Sequence, residues 1–434
     1  MSTAGYIINK KKTMLAGVQL SEPHPVTLLP HQQETVDRAP KKRLLAFDTG
    51  TGKTITAISL CNKHRCNNVL VIAPKTNVEQ WGIELVKYLN KDTGFTVISK
   101  EEFKAQIKTL PPYPAVIVDE GHYFAGISSA LSKALNWYLN KHKTEYVYIA
   151  TATPYCSTPL NIYTLAKHLG YAWNYQAFKE KFFYYIPMGA RSVPVPRPGM
   201  EDEVARLVKM IGDTTDMETA VTNSGGTVPT QTNVVTKVSL TGEQLKAIDD
   251  IFDPVFIVRW TKQHQIENGF LYSEDGDSKT VTSFECEKTL AVQRLCKQHK
   301  KIIIVSRYTH QLHLYKSLLE GGGREVYLLS GETKNRQELI DNANKSDDCV
   351  FLMQASCSAG FELPTFRVMV FAALSFSFVD HVQARGRILR INKLQENEYI
   401  YLVAEGVDQD VYDCIMRKQD FNIAIYKKDY KTIN

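Results

Sequence analysis

An α/β fold with two doubly wound parallel sheets in tandem is predicted by three features of the 434-residue sequence. Short segments rich in apolar and β-branched residues recur along the chain, each of about strand length and apolar on both faces, as in parallel strands covered by helices. Helical stretches alternate with these segments, which is typical of doubly wound units. The segments form two sets separated by a long region of different character, so two α/β domains are expected.

Each set contains five predicted strands. The strands of the first set are residues 43–47, 68–74, 95–99, 115–120 and 146–152. The strands of the second set are residues 301–306, 325–331, 349–354, 367–373 and 398–405.

The region between the two sets differs in composition. Residues 155–222 are rich in aromatic side chains and are expected to be helical, and the polar segment 222–233 is typical of a linker or an exposed loop. Residues 269–284 predict a β-hairpin with Asp275 and Gly276 at its turn. The predicted divisions are a first domain over 1–154, a helical insertion and linker over 155–234, and a second domain over 235–434.

Composition restricts the class of protein. Hydrophobic residues make up 44% of the chain and no apolar run approaches the length of a membrane span, so a globular protein without membrane segments is expected. The formal net charge of +6 is compatible with a polyanionic partner but does not require one. The eight cysteines contain no C-x-x-C pair, which favours free thiols in a reducing cytoplasm.

The segment FDTGTGKT, residues 47–54, follows the first predicted strand and opens a predicted helix. It matches the end of the phosphate-loop pattern G-x-x-x-x-G-K-[ST], but Phe47 replaces the first glycine. In this context backbone N–H groups and the helix N-terminus face phosphate oxygens. Lys53 would contact the β- and γ-phosphates and Thr54 would ligate Mg²⁺. The candidate nucleotide-binding residues are therefore Thr49, Gly50, Thr51, Gly52, Lys53 and Thr54.

Two carboxylates end the fourth predicted strand, in the segment AVIVDEGH. An acidic residue at the tip of a buried strand is costly unless it serves a cation. Asp119 is expected to hold Mg²⁺, directly or through water. Glu120 is expected to polarise the attacking water as a general base.

The segment HVQARGRILR in the second set carries the pattern Q-x-x-G-R-x-x-R. On a helix, the i, i+3 spacing of Arg387 and Arg390 would put both guanidinium groups on one face. They could then close on a γ-phosphate, a contribution of roughly 10³–10⁵ in turnover for arginine fingers. A basic helix face without a ligand is the alternative.

Together these segments resemble the motifs of superfamily 2 helicases. The ordered set consists of DTGTGKT, VIAPKTNVEQW, DEGH, TATP, SGETKNR, SAGFEL and QARGRILR, and the resemblance extends from about residue 25 to about residue 425. In that superfamily the phosphate loop often lacks the first glycine. Within the superfamily, LLPHQQETV, VSLTGEQLKAI and YLVAEGVDQDVYDCI resemble segments of the Swi/Snf-type branch. Two departures are visible: LSFSFVDHVQ stands where W-N-P is usual, and SAGFEL keeps only Gly360, with Glu362 in place of Asn or Asp.

The resemblance implies two RecA-like domains with ATP and Mg²⁺ in the cleft between them. It makes Gln32 the candidate adenine reader and adds Gln383, Gly360 and Glu362 to the nucleotide site. Nucleic acid would cross both domains and be held mainly through its phosphates, with little sequence preference. The candidate contacts are Pro74, Lys75, Trp81, Arg307, Ser330, Gly331, Ser356 and Ser358. For Trp81, a place in the core is an equal alternative.

The function implied is an ATP-dependent DNA helicase or translocase that moves on, unwinds or remodels DNA. The alternatives are an ATP-gated nucleic-acid clamp or annealing protein without processive unwinding, and an RNA helicase. A small-molecule kinase would need only one such domain. The compact core would suit a phage or mobile-element protein, which would place it in the host cytoplasm.

Overall fold

The computed structural model describes residues 26–155, 158–188, 191–227, 229–253, 255–275, 278–389 and 396–417. The chain divides into two compact units between residues 228 and 229. Arg390 and the predicted hairpin turn residue Gly276 lie outside the described residues.

The first unit contains a six-stranded sheet in which every neighbouring pair is parallel, with the strand order β3-β2-β4-β5-β1-β8. Its strands are β1 (Lys42–Phe47), β2 (Asn68–Ala73), β3 (Gly94–Ser99), β4 (Ala115–Val118), β5 (Tyr146–Ala150) and β8 (Gly212–Thr215). A separate antiparallel hairpin consists of β6 (Phe183–Met188) and β7 (Arg191–Pro196).

Helices cover both faces of this sheet, which is why its strands are apolar on both sides. Along β4, Val116 and Val118 belong to one apolar cluster, and Ala115 and Ile117 belong to another. The helices of this unit are α1 (Pro30–Arg38), α2 (Lys53–Lys63), α3 (Val78–Tyr88), α4 (Lys100–Gln106), α5 (Ala130–Lys141), α6 (Leu160–His168), α7 (Tyr175–Phe182), α8 (Glu201–Ile211) and α9 (Met217–Asn223).

The region expected to be helical also contains strands. Besides the β6–β7 hairpin, strand β8 joins the sheet beside β1, pairing Gly212 with Leu44. A Cβ at Gly212 would lie 2.6 Å from the Leu44 carbonyl oxygen, so this edge requires glycine. Arg43 then donates to the Asp213 carboxylate at 3.0 Å. The sequence GDTT has no apolar run, which explains why hydrophobic patterning missed this strand.

The second unit contains a second six-stranded parallel sheet, with the order β13-β14-β12-β15-β16-β9. Its strands are β9 (Gln231–Val238), β12 (Lys301–Ser306), β13 (Val326–Leu329), β14 (Cys349–Gln354), β15 (Val368–Ala373) and β16 (Asn397–Ala404). Its helices are α10 (Gly242–Asp249), α11 (Phe256–Glu267), α12 (Glu287–Gln298), α13 (Thr309–Gly321), α14 (Arg336–Lys345), α15 (Phe378–Arg385) and α16 (Val407–Met416). The predicted hairpin forms from β10 (Phe270–Asp275) and β11 (Ser278–Ser283).

Strand β9 begins inside the segment expected to be a linker. It is an edge strand that pairs with β16 along its whole length, and most of its residues are exposed. An exposed edge strand needs few apolar residues, so the polar composition of β9 is similar to that of a loop.

The predicted fold class, two RecA-like doubly wound parallel-sheet domains in tandem, is confirmed by the two sheets. The three-part domain division stays a prediction. Within the described residues, no helix combines the length and the apolar character that a membrane span needs.

Candidate functional site

The phosphate loop connects β1 to α2 through two glycines in the left-handed region. Gly50 has φ 84° and Gly52 has φ 88°. A Cβ at Gly52 would lie 1.9 Å from the Gln32 amide nitrogen, so only glycine fits there. Phe47, at the position of the missing glycine, is a buried β1 residue whose ring contacts His31 edge to face at 5.1 Å. The loop therefore turns on two glycines, and the first position of the usual pattern serves the core.

Gln32 holds this loop from helix α1. Its Nε2 donates to the Thr51 carbonyl at 3.0 Å, and its Oε1 accepts from the Leu29 N–H at 2.8 Å. The side chain is buried, and both ends of its amide have partners in the chain. The structure thus gives Gln32 a role in positioning the loop, while contact with adenine stays a prediction.

Lys53 lies across the loop at the start of α2. Its ammonium donates to the carbonyls of Phe47 at 2.9 Å and Asp48 at 3.0 Å. Buried Thr51 also donates to the Asp48 carbonyl, at 2.8 Å. The Asp48 carboxylate in turn accepts the N–H of Met217, which follows β8. The loop is therefore supported by the strand that the sequence did not predict.

The remaining loop residues differ in exposure. Gly50 is exposed, while Thr49 and Thr54 are half-buried. Thr54 lies in the first turn of α2, where its hydroxyl is on the same helix terminus as Lys53. This placement is compatible with the predicted metal-ligand role, which stays a prediction.

Asp119 follows β4 and is buried against the end of β2. Its N–H donates to the Ile72 carbonyl at 2.9 Å. Its Oδ2 accepts from Asn77 Nδ2 at 3.0 Å and from Trp81 Nε1 at 2.9 Å. Burial and the neighbouring Glu120 raise the pKa of Asp119, and its two donors together with the Lys53 charge oppose that rise. The carboxylate lies within electrostatic reach of the loop lysine.

Glu120 has a left-handed backbone, with φ 49° and ψ 55°. Such conformations are costly for a residue with a side chain and cluster at functional sites. The turn is closed by Gly121, where a Cβ would lie 2.2 Å from the Ile149 side chain. The Glu120 carboxylate lies 3.2 Å from His122 Nδ1, which is 3.4 Å from the Thr151 hydroxyl. The candidate base is therefore connected to the end of β5.

The predicted nucleic-acid residues of the first unit separate by exposure. Lys75 is exposed, whereas Pro74 is buried. Trp81 is only 3% exposed and its indole donates to Asp119. This placement favours the core alternative for Trp81 and reveals a link to the carboxylate that the motif spacing did not indicate.

The corresponding residues of the second unit also separate. Gly331 and Ser356 are exposed, and Ser330 is nearly buried. Ser358 is fully buried, with its hydroxyl directed at the Asp380 carbonyl at 3.5 Å. The half-buried Arg307 lies with its guanidinium 3.7 Å from the centre of the Phe376 ring. The Gly331 N–H donates to Gln354 Oε1 at 3.1 Å, and Gln354 directly precedes the 3₁₀ turn that contains Ser356.

The expectation that Arg387 lies on a helix face is wrong, because α15 ends at Arg385. Arg387 is buried, its Nε donates to the Gln383 carbonyl at 2.8 Å, and its Nη1 donates to the Phe361 carbonyl. Gly360 has φ 81° and Glu362 is exposed. The Arg387 side chain therefore joins the turn that follows α15 to the loop around Phe361, which precedes β15.

Buried Gln383, in the last turn of α15, has an unusual feature. Its side chain is 5% exposed, and its Nε2 has no hydrogen-bond partner among the described residues. A buried amide donor without a partner is costly and calls for an explanation. A nucleotide contact would supply one and stays a prediction.

Two family models match the chain, one on each unit. The helicase conserved C-terminal domain matches residues 287–392. The type III restriction enzyme, res subunit, matches residues 25–110, which include the phosphate loop. The matches follow the order of the motifs along the chain.

A curated protein and a solved structure are similar to this chain, the first over about a third of it and the second over most of it. The chain is 29% identical over 160 residues to the SWI/SNF-related matrix-associated actin-dependent regulator of chromatin subfamily A-like protein 1 of Bos taurus, covering 32% of this chain. The match spans 17% of the length of that relative. The solved Sulfolobus solfataricus SWI2/SNF2 ATPase core in complex with dsDNA covers 92% of this chain and 93% of its own, with 16% identity and a TM-score of 0.41. At that similarity, the fold assignment rests on the two sheets described above.

The family matches and the ordered motifs agree on both units. The phosphate loop and the Asp119–Glu120 turn lie on the first unit, and the helicase C-terminal match covers most of the second sheet. The two matched segments and the ordered motifs make the chain similar to superfamily 2 helicases and translocases, and the relative from Bos taurus is similar over 160 residues.

Proposed function

We propose that the protein is a nucleic-acid-dependent ATPase that uses ATP hydrolysis to move on, unwind or remodel DNA. One observation carries the proposal. Strands β1 and β4 both pair in parallel with β5, so the loop that holds Lys53 after β1 and the buried Asp119 after β4, followed directly by Glu120, lie at the same edge of one sheet. A loop for phosphates, a carboxylate for a metal and a second carboxylate for water are the parts of an ATP hydrolysis site.

The loop residues fit a bound triphosphate. The left-handed glycines expose backbone N–H groups, and the Gln32 amide occupies the space behind Gly52. Lys53 has two carbonyl partners that a phosphate could replace with a stronger, charge-assisted hydrogen bond. We assign the binding of the β- and γ-phosphates to Lys53 and the loop amides.

The residues present also fit Mg²⁺. When bound with ATP, this ion would neutralise charge on the phosphate oxygens. The Asp119 Oδ2 is occupied by two donors, while its Oδ1 accepts no hydrogen bond from the described residues. Carboxylate and hydroxyl oxygens are the ligands that Mg²⁺ prefers. Asp119 and Thr54 would hold the ion.

Glu120 is assigned to the attacking water, whose proton it would accept as the water oxygen bonds to the γ-phosphorus and the bond from that phosphorus to the β,γ-bridging oxygen breaks, with ADP as the leaving group. The contact with His122 Nδ1 fixes the orientation of the Glu120 carboxylate at the turn after β4. Arg387 and Arg390 are assigned to the charge that develops on the γ-phosphate. For Arg387 this would require its guanidinium to leave the Phe361 carbonyl.

DNA is the proposed track. The relative from Bos taurus is named as a regulator of chromatin, and the motifs most resemble the Swi/Snf-type group. Exposed Lys75 and half-buried Arg307 would contact phosphates, which position the protein without reading sequence. A clamp without productive motion and an RNA track are outcomes that the experiments below and in the Discussion separate.

The site is tested by single-turnover ATP hydrolysis and nucleotide binding on two variants. Glu120→Gln should bind ATP with wild-type affinity but lose hydrolysis, because the amide cannot accept the water's proton. Arg390→Ala should also bind ATP nearly normally, while hydrolysis falls by roughly 10³-fold or more, because that charge acts mainly in the transition state. Wild-type hydrolysis in Glu120→Gln contradicts the base assignment. An Arg390→Ala variant that loses only DNA affinity shows a DNA-facing arginine instead.

A further inference from the structure

Both side-chain donors to Asp119 come from one segment, residues 75–81, which follows β2. Asn77 Nδ2 and Trp81 Nε1 donate to the same carboxylate oxygen, Oδ2, at 3.0 Å and 2.9 Å. A hydrogen bond to a charged group is stronger than one between neutral groups, and two such bonds fix the orientation of the carboxylate. The other oxygen, Oδ1, is left for a metal ion.

The same segment begins at an exposed cation. Lys75 and Asn77 are the ends of a single 3₁₀ turn, Lys75–Asn77, which leads directly into α3. The Asn77 N–H donates to the Pro74 carbonyl at 2.8 Å and closes this turn. A shift of the Lys75 backbone would therefore be transmitted to Asn77, because one closed turn contains both residues. Trp81 lies one helical turn further on and is buried.

We propose that Asn77 and Trp81 are positioning residues for Asp119, and that they connect nucleic acid bound at Lys75 to the Mg²⁺·ATP site. The proposal rests on the proposed function for its nucleic-acid part. Neither residue would touch the nucleotide. When a nucleic-acid phosphate binds Lys75, the turn would move together with the two donors, Asn77 and Trp81. The Oδ1 oxygen of Asp119 would then change its position relative to the metal.

A purely structural role for these residues predicts something different. Trp81, on α3, packs in the apolar cluster that α3 shares with α2. If packing were its role, its loss would act only through the stability of the first unit. In that case nucleotide binding with and without Mg²⁺ would change together, or not at all. Positioning of Asp119 predicts a change confined to binding in the presence of Mg²⁺.

The test measures the affinity of a non-hydrolysable ATP analogue in Mg²⁺ and in EDTA for Asn77→Ala and Trp81→Phe. The phenylalanine keeps most of the ring packing and removes only the N–H donor. The matched control is Gln80→Ala, because Gln80 is exposed on the same helix and pairs only with Glu84 among the described residues. Thermal unfolding of each variant is recorded beside it.

We expect the gain in affinity that Mg²⁺ provides to fall by roughly 10-fold or more in both variants, the equivalent of losing one charge-assisted hydrogen bond. Affinity in EDTA should stay at the wild-type value, and Gln80→Ala should match wild type in both conditions. The stimulation of ATPase by DNA should fall in the same two variants, while DNA affinity stays intact because Lys75 remains.

A wild-type Mg²⁺ gain in both variants would overturn the positioning role. If Trp81→Phe fails to fold, half-buried Asn77 still decides the question, since its truncation leaves the core unchanged. A wild-type enzyme that DNA does not stimulate would refute the proposed function instead, and the Mg²⁺ measurement would still decide the role of Asn77 and Trp81 independently.

Discussion

At the residue scale, the phosphate loop shows how far a short motif predicts its own structure. Gly52, which the pattern requires, and Gly50, at one of its variable positions, both have positive φ. The position that departs from the pattern, Phe47, is a buried strand residue. The partners of Asp119 were beyond prediction, because Asn77 and Trp81 are about forty positions away in sequence and are brought close only by the pairing of β2 with β4.

Replacing Gly52 tests the loop geometry directly. Gly52→Ala would place a Cβ 1.9 Å from the Gln32 amide at a backbone angle that disfavours alanine. We expect a stability loss of about 1–2 kcal/mol from the strain alone. Nucleotide affinity should fall in addition, because Gln32 must move and release the Thr51 carbonyl.

Gly225→Ala is the matched control, since Gly225 has φ +71° but no heavy atom lies within 4 Å of the position that a Cβ would take there. It should show a similar strain cost and wild-type nucleotide affinity. Equal nucleotide affinity in both variants would show that the Gln32 contact does not shape the loop.

At the scale of elements, a buried charged cluster connects helices α11, α12 and α16 with the second sheet. Lys288 donates to Asp408 at 2.8 Å, to Asn268 at 2.8 Å and to the Ala372 carbonyl at 2.9 Å. His264 lies between the Tyr308 hydroxyl, at 2.6 Å, and the other oxygen of Asp408, at 3.2 Å. Every polar group in this set is paired, as burial requires.

The start of α16 depends on this cluster. Glu267 accepts the N–H groups of Val407 and Asp408, at 2.9 Å and 2.7 Å, and so caps the helix. Burial and the nearby Asp408 raise the pKa of Glu267 to about 7, while Lys288 and His264 help to hold the pKa of Asp408 at about 2 against its burial. Hydrophobic patterning cannot foresee such a cluster, because its members look like surface residues in the sequence.

Removing the lysine should destabilise the second unit strongly. Lys288→Met leaves the Asp408 carboxylate buried without its cation, which costs roughly 3–5 kcal/mol when one partner of a buried pair is removed. Hydrogen exchange of the β15 and β16 amides measures the change in the free energy of opening.

Lys297→Met, at an exposed position of the same helix, is the control and should stay within about 0.5 kcal/mol of wild type. A change below about 1 kcal/mol for Lys288→Met would mean that the cluster is not what holds α12 and α16 to the sheet.

Besides the β6–β7 hairpin, the strands that sequence reasoning missed are β8 and β9, each at one edge of its sheet. Central strands such as β4 and β15 are buried on both faces and form the apolar runs from which they were predicted. Edge strands β8 and β9 have few apolar residues, whereas the opposite edge strands, β3 and β13, are apolar enough to have been predicted. Periodicity therefore predicted the central strands and one edge of each sheet, but not the other edge.

At the scale of the whole molecule, the two units share one architecture but differ in the chemistry they offer. The first unit holds the phosphate loop and both carboxylates. The second holds the turn after α15, where Arg387 donates hydrogen bonds to the Gln383 and Phe361 carbonyls of the same unit. An ATPase of this design should be slow until nucleic acid acts on both units, which is the central claim of the proposed function.

The most direct test is the steady-state ATPase rate of the wild-type chain with no nucleic acid, with duplex, forked or single-stranded DNA, and with RNA, beside a strand-displacement assay. Lys53→Ala is the control for contaminating activity. We predict a rate that rises with DNA, an apparent DNA affinity that falls as salt increases through counterion release, and no turnover in Lys53→Ala. Stimulation by RNA alone would replace DNA as the track, and stimulated turnover without strand displacement would indicate translocation on duplex. A rate that no DNA or RNA changes at low salt would contradict the account.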